Sequence, residues 1–527
     1  MISSPGAGVA RSARFAGMPV LAIDAGTTGV TALVVGEDGD VRSRGYREFA
    51  QLFPRPGWVE HEPDDIWTAT VAACREALAG SDDRPTCIGI TDQRETAVVW
   101  DRRTLHSPRP AIVWQDRRTT GICDRLREHE ARVSQLTGLR LDPYFTATKF
   151  AWLAEHEAGL WSGVRDGALA LGTVDSYLIA RLTGGAVHVT DPSNASRTLL
   201  FDLEKGSWSD ELCELFDVPR SALPELVPNS GVLGTTDPDA FLGLALPIAG
   251  LAGDQQAALF GQACFEPGTS KCTYGTGSFV LTNTGPTPVR SDAGLLTTVA
   301  WDLGDGLVYA LEGAIFVTGA AVQWLRDGLG LIDSAAEIEG LARTVPDSGD
   351  VVFVPALTGM GAPHWDPHAR GAILGLTRGT TRAHIARATL EALAFEVRDV
   401  VDVMVDEAGL SVPELSADGG ASANDLLLQL QADQLGVPVR RPVVTETTAL
   451  GAAFLAGLGT GVWGSTDELA RTLDLDTSFL LPEAPWFTPG AHRSVRRALL
   501  HIAAETVQHA GHADILRESL DGQRTMG

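Results

Sequence analysis

Three short Gly/Thr-rich turns constrain this chain more than any other feature: DAGTTG at 24–29, TYGTG at 273–277 and ADGGAS at 417–422, each directly after a β-like run. Such a turn aims several backbone N–H groups at one point, a nest that binds phosphate oxygens, and threonine hydroxyls add donors. The first turn joins VLAID (20–24) to VTALVV (30–35), and an Asp-Gly turn then leads into VRSRGYREF (41–49), the pattern of a strand meander. A comparable strand–turn–strand returns at KCTYGTGSFVLTN (271–283). One half of the chain echoes the other, and the recurrence places a boundary near 255–270.

Helical periodicity fills the space between. Apolar residues recur at helical spacing over 63–79, 147–155 and 382–408, where Gly409 stops the last. Strand-like ELSADGG (414–420) precedes helical NDLLLQLQADQLG (424–436), and alanine-rich 447–458 predicts a further helix. Alternating strands and helices mean an α/β protein with layered sheets. GTGVWG (459–464) fits the GxGxxG pattern but follows a helix instead of a strand, so it reads as a loop and not a dinucleotide fingerprint.

Composition removes several classes. Among 527 residues, 41 basic and 67 acidic side chains leave a net charge of −26. A surface this acidic repels nucleic acid and anionic lipid, and no run reaches the roughly 18 apolar residues of a membrane span. Six cysteines with no CxxC read as free thiols of a reducing compartment, which points to the cytoplasm. Only Lys149, Lys205 and Lys271 are lysines, and none sits in a GxxxxGK[ST] frame. A nucleoside triphosphate would then be held by amides, hydroxyls, arginine and magnesium without a P-loop lysine. Residues 1–18 carry Arg11 and Arg14 but no apolar core of a signal peptide, and read as a disordered extension. Domains are expected over 19–263 and 264–510, with a tail at 511–527.

Longer blocks surround the turns: GWVEHEP (57–63), ITDQRETAVVW (90–100), AIVWQDRRT (111–119), DPYFTATK (142–149), GTVDSYLI (172–179), HVTDPSNASRTLLF (188–201), AGDQQAALFGQ (252–262), ALEGAIFVTGAAVQWLRD (310–327) and PALTGMGAPHWDPHARGAILGLTRG (355–379). In order, from about Val20 to about Gly464, they resemble the FGGY carbohydrate kinases, and among these the members that phosphorylate glycerol. The resemblance implies two actin-like (ribonuclease H-like) ATPase domains flanking a catalytic cleft, with ATP and Mg²⁺ used to convert glycerol to sn-glycerol 3-phosphate. It also implies a homo-oligomer, dimer or tetramer. A family member acting on another polyol or a ketopentose is the alternative enzyme; a non-catalytic polyol sensor is the alternative of another class.

Roles carried over by the resemblance fall on individual residues. Asp254 would be the general base and, with Asp24, would face the metal. Arg94, Glu95, Trp114, Tyr144, Gln255 and Phe279 would contact glycerol: hydrogen-bonding groups for three hydroxyls and aromatic walls for the carbon edge. Thr27, Thr28 and Gly29 would meet phosphates from one domain and Thr276 from the other, while Gly319, Gln323, Gly420 and Asn424 would lie near the nucleoside. Two departures stand out. Glycerol-phosphorylating members commonly read DQGTTSSR in the first turn, whereas here Ala25, Gly29 and Thr31 stand at the Gln, first Ser and Arg positions. The loop DAFLGLA (239–245) lacks the Gly-Gly-x-Arg with which some members bind fructose 1,6-bisphosphate, so inhibition by that sugar is not expected.

Overall fold

The computed structural model describes residues 17–366, 368–473 and the backbone of 475–479. The extension expected over 1–18, apart from Gly17 and Met18, and the tail at 511–527 lie outside the described residues.

The predicted meander forms β1 (Val20–Ala25), β2 (Gly29–Val35) and β3 (Val41–Glu48). Completing the first sheet are β4 (Cys87–Asp92), β5 (Ser230–Thr235) and β6 (Pro247–Gly253), in the order β5-β6-β4-β1-β2-β3. Strand β4 runs parallel to both β1 and β6, so the carboxyl ends of these three strands open on one edge. Both faces of β1 are buried, as a continuous apolar run requires. Leu21 and Ile23 pack with helix α1 (Pro63–Ala79), and Val20 and Ala22 pack on the opposite side.

The second half repeats the plan. Strands β7 (Ser270–Tyr274) and β8 (Ser278–Gly285) form a hairpin, and β9 (Leu296–Asp302) and β10 (Leu307–Ile315) extend it. Strands β11 (Leu415–Asp418), β12 (Val439–Pro442) and β13 (Leu475–Phe479) continue on the far side, in the order β9-β10-β8-β7-β11-β12-β13. In each sheet the first strand of a hairpin has a parallel neighbour on its other side, β4 beside β1 and β11 beside β7. Two such sheets make the ribonuclease H-like, actin-like ATPase architecture.

Helices α2 (Thr146–His156), α3 (Val174–Leu182) and α4 (Asp254–Gly261) belong to the first lobe by sequence. Helices α5 (Gly319–Asp327), α6 (Arg382–Ala408), α7 (Asp425–Leu435) and α8 (Thr447–Thr460) follow in the second. Helix α8 does not stay there: it covers the second face of the first sheet, with Leu450, Ala453 and Phe454 against Val20, Leu33 and Ala249. Its approach requires bare backbone. A Cβ on Gly89 of β4 would come 2.0 Å from the Ala452 carbonyl oxygen, and one on Gly250 of β6 would come 2.4 Å from the Ala456 nitrogen. The GTGVWG segment is part helix: α8 runs to Thr460, Gly461 leaves it at φ 79°, and Trp463 donates to the Glu37 carbonyl (2.9 Å). Among the described residues no helix is long and apolar enough to cross a membrane.

Candidate active site

The carboxyl ends of β1, β4 and β6 deliver three loops to one place. Asp24 stands near the end of β1, Arg94 and Glu95 follow β4, and Asp254 begins α4 directly after β6. The Asp254 Oδ1 accepts the Gln255 N–H (2.7 Å) and lies 3.2 Å from Arg94 Nε. Burial raises its carboxyl above the usual range, against the pull of Arg94. Burial, and then the facing charge of Asp254, push the Asp24 carboxyl up to about 7. A pair of hard oxygen donors in this state suits a magnesium ion, which takes one or two carboxylates and completes its shell with water and phosphate. Among the described residues no group of three or more His, Cys, Asp or Glu forms a metal cage.

Beneath Asp254 lies a buried ionic quartet. Arg94 Nη1 donates to Glu312 Oε2 (2.5 Å) and to Gln256 Oε1 (3.1 Å), while Arg197 donates to Glu95 (2.7 Å) and to Glu312 Oε1 (2.8 Å). All four ionic side chains are at most 2% exposed. Two cations against two anions balance, which is what lets them stay charged away from water. Burial alone would raise the Glu312 carboxyl, but Arg197 and Arg94 outweigh it and hold it down at about 2. Glu95 adopts φ 62°, in the left-handed region uncommon for a residue other than glycine, a local cost characteristic of functional loops. The segment 188–201 supports the whole: Ser193 Oγ accepts the Gly253 N–H (3.0 Å) just ahead of Asp254, and Asn194 Nδ2 bridges Asp92 (3.0 Å) and Asp191 (2.9 Å).

Trp114 and Tyr144 meet edge to face at 5.6 Å between centroids. Trp114 Nε1 donates to the Thr27 hydroxyl (3.0 Å), tying an aromatic wall to the first phosphate turn. Lys149, fully buried, donates to the carbonyls of Pro143 (3.0 Å) and Tyr144 (2.6 Å). In the same turn Gly29 has no room for a side chain, since a Cβ would lie 2.7 Å from the Arg47 carbonyl oxygen. Thr28 is exposed.

The second lobe supplies the opposite wall. Register pairs Lys271 with Leu281, Thr273 with Phe279, Phe279 with Ala314 and Leu281 with Glu312. Lys271, Thr273, Phe279 and Glu312 therefore share one face, while Cys272 and Tyr274 point into that lobe's core. Lys271 Nζ donates to Gln255 Oε1 and to Thr273 Oγ1 (2.9 Å), and Asp418 at the end of β11 pairs with Thr273 in register. Beyond Asp418 opens a cavity of about 620 Å³ lined by Thr276, Gly319, Gln323, Arg326, Glu339, Gly420 and Asn424. The four residues expected near the nucleoside line it, together with Thr276, expected at the phosphates; the first-turn residues 27–29 lie on the other lobe.

Several members of this assembly carried no assigned role in the sequence: Arg197, Gln256, Lys271, Glu312, Asp418 and Lys149. The signals existed. Lys271 and Thr273 alternate with the core residues Cys272 and Tyr274, and Glu312 is a lone acid inside the apolar strand run ALEGAI. None of the three lysines is a P-loop lysine, yet Lys149 and Lys271 are both buried among these residues.

The family description "FGGY family of carbohydrate kinases, N-terminal domain" matches residues 19–261, and its C-terminal counterpart matches 270–460. A description of mycothiol-S-transferases matches 457–522, mostly outside the described residues. The chain is 53% identical to glycerol kinase 2 of Thermotoga maritima over 465 residues, 87% of this chain and 94% of that protein. Over 508 residues it is 51% identical to glycerol kinase of Bordetella parapertussis, 94% of this chain and 99% of the other. Among solved structures, Plasmodium falciparum glycerol kinase with ADP superposes with a TM-score of 0.83 at 33% identity, covering 94% of this chain and 98% of that one.

Proposed function

The chain belongs to the FGGY family of carbohydrate kinases, and on that premise we propose that it transfers the γ-phosphoryl group of ATP to the 3-hydroxyl of glycerol with Asp254 as general base. The observation that carries the reading is the Asp254 carboxylate, held by the Arg94 guanidinium and the Gln255 backbone amide. Arg94 and Gln255 offer donors and Glu95 an acceptor to the hydroxyls, while the edge-to-face aromatic pair meets the carbon chain. Relatives named glycerol kinases cover nearly the whole chain at about half identity, which favours the triol over a larger sugar.

In the reaction the glycerol hydroxyl gives its proton to Asp254 as its oxygen attacks the γ-phosphorus in line, and ADP departs from the opposite side. The cavity lined by Gly319, Gln323, Gly420 and Asn424 would receive the adenosine, and Thr27, Thr28 and Thr276 the phosphates. Asp24 and Asp254 would hold a magnesium ion, which neutralises phosphate charge when bound. With the Arg position of the first turn taken by Thr31, that charge falls to turn amides and hydroxyls. Closing the lobes excludes water from the attacking position.

An ADP-release assay across glycerol, dihydroxyacetone, erythritol, xylitol and xylulose tests the substrate, with Asp254→Asn alongside. Glycerol is expected to give the highest kcat/KM, and the variant to lose about 100-fold or more in kcat. A higher kcat/KM for xylulose or xylitol defeats the substrate assignment; wild-type kcat in Asp254→Asn defeats the base.

A further inference from the structure

Two residues of the second lobe reach across to hold alcohol-site side chains of the first. Glu312, from β10, is fully buried and accepts from Arg94 (2.5 Å) and Arg197 (2.8 Å). Lys271, from β7, is fully buried and donates to the Gln255 side-chain carbonyl. Thr273 braces the ammonium at 2.9 Å. Arg94 and Gln255 thus have their polar ends fixed by partners more than 15 residues away in sequence, on the other sheet.

We propose that Glu312 and Lys271 are positioning residues for the alcohol, so that the polyol site is assembled only when the second lobe is seated against the first. This rests on reading Arg94 and Gln255 as glycerol contacts. A guanidinium has five donors in a rigid fork, and what it offers a substrate depends on which of them are already spent. Glu312 takes Nη1 of Arg94, which keeps the guanidinium beside Asp254, with Nε 3.2 Å from a carboxylate oxygen. Without Glu312 the guanidinium could turn toward Glu95, already 3.8 Å from its Nε, and leave the substrate. Lys271 does the converse for an amide: by occupying the Gln255 carbonyl oxygen it leaves the NH₂ of that side chain to donate to a hydroxyl. The two residues do not touch the alcohol, so their loss acts through Arg94 and Gln255.

Steady-state kinetics of Glu312→Gln, Glu312→Asp and Lys271→Met, with glycerol and ATP varied separately, test this. Mispositioned ground-state contacts raise KM for glycerol, by about tenfold or more for each uncharged replacement, with KM for ATP within about twofold of wild type. Glu312→Asp keeps the charge on a shorter arm and should show a smaller rise in the same constant. It also keeps the test alive if Glu312→Gln does not fold, since removing one partner of a buried pair is costly. A merely structural role lowers the folded, active fraction, which depresses apparent kcat and leaves KM for glycerol unchanged. That pattern, or a parallel rise in both KM values, overturns the inference. Wild-type protein without glycerol-dependent ADP release would instead defeat the functional reading, before any variant is compared.

Discussion

Gly451→Ala tests whether packing between lobes sets the position of the base. Helix α8 crosses α4 at this glycine, and a Cβ there would lie 1.9 Å from the Ala257 carbonyl oxygen and 2.6 Å from its carbon. Both obstacles are backbone, so no rotamer change relieves them. Ordinary contact needs about 3.4 Å, so the helices must part by roughly 1.5 Å. Ala257 is one turn from Asp254, which starts the same helix, and a rigid α4 carries the carboxylate with it. A displacement of about 1 Å from in-line geometry costs on the order of 100-fold in rate, so kcat should fall by about that factor. Overpacking should also cost about 1–3 kcal/mol of stability, offset by up to about 1 kcal/mol from the better helix propensity of alanine. KM for ATP should hold, because the nucleotide cavity is lined by residues from 274 to 427 and not by α4. ADP-release kinetics and thermal melts of the same preparation read out both effects. Gly340→Ala, where no atom lies within 4 Å of the added carbon, is the silent control. A folded Gly451→Ala protein with kcat within about threefold of wild type would show that α8 absorbs the methyl alone, and would refute the coupling.

Two further outcomes follow from buried basic groups. His61 is fully buried with no partner at Nε2, and burial lowers its pKa from 6.5 to about 4. The folded state therefore binds its proton less readily than the unfolded chain, so this stability is full above pH 6.5 and lost as pH falls toward 4, about 3 kcal/mol in all. In His61→Phe the stability advantage of wild type should shrink between pH 7 and 4.5; urea unfolding midpoints that stay parallel across that range would contradict this. Lys149→Met removes both donors to the Pro143 and Tyr144 carbonyls and frees the Tyr144 wall, so KM for glycerol should rise about fivefold or more with KM for ATP unchanged. An unaltered KM for glycerol would show that Tyr144 is held by its ring neighbours alone.

What was legible in the sequence was local. Alternation of apolar residues with turn chemistry marks β1 to β3 and the β7–β8 hairpin, because strand period and Gly/Thr turns are written in consecutive residues. The 27-residue helix α6 is likewise readable end to end, from its apolar stripe and the αL glycine Gly409 that caps it. Asp254 stands out as an acid at the end of the apolar run PIAGLAG. Glu312 could be noticed as an acid in an apolar strand, but its partner Arg94 is 218 residues away, and no local pattern says which cation meets it. Helix α8 is the same problem at the scale of an element: periodicity identifies a Gly/Ala-rich helix, not the sheet it covers.

The lysines show how that missing long-range information changes a physical reading. None of the three lysines in 527 residues sits in a P-loop frame, and from sequence nothing more follows. Only tertiary structure reveals that Lys205 is exposed while Lys149 and Lys271 are fully buried. Burial opposes the charge of both, pushing Lys149 down to about 7 and lowering Lys271 as well, so each is retained against a desolvation penalty. Arginine is the commoner base here by far, yet its planar fork cannot replace them: a compact ammonium fits between two successive carbonyls, or between an amide oxygen and a hydroxyl, where five fixed donors would leave some unpaired. The two buried lysines hold the Tyr144 backbone carbonyl and the Gln255 side chain, both proposed to face the alcohol, so under that proposal the scarce lysines serve the alcohol and the turns are left to serve the phosphates.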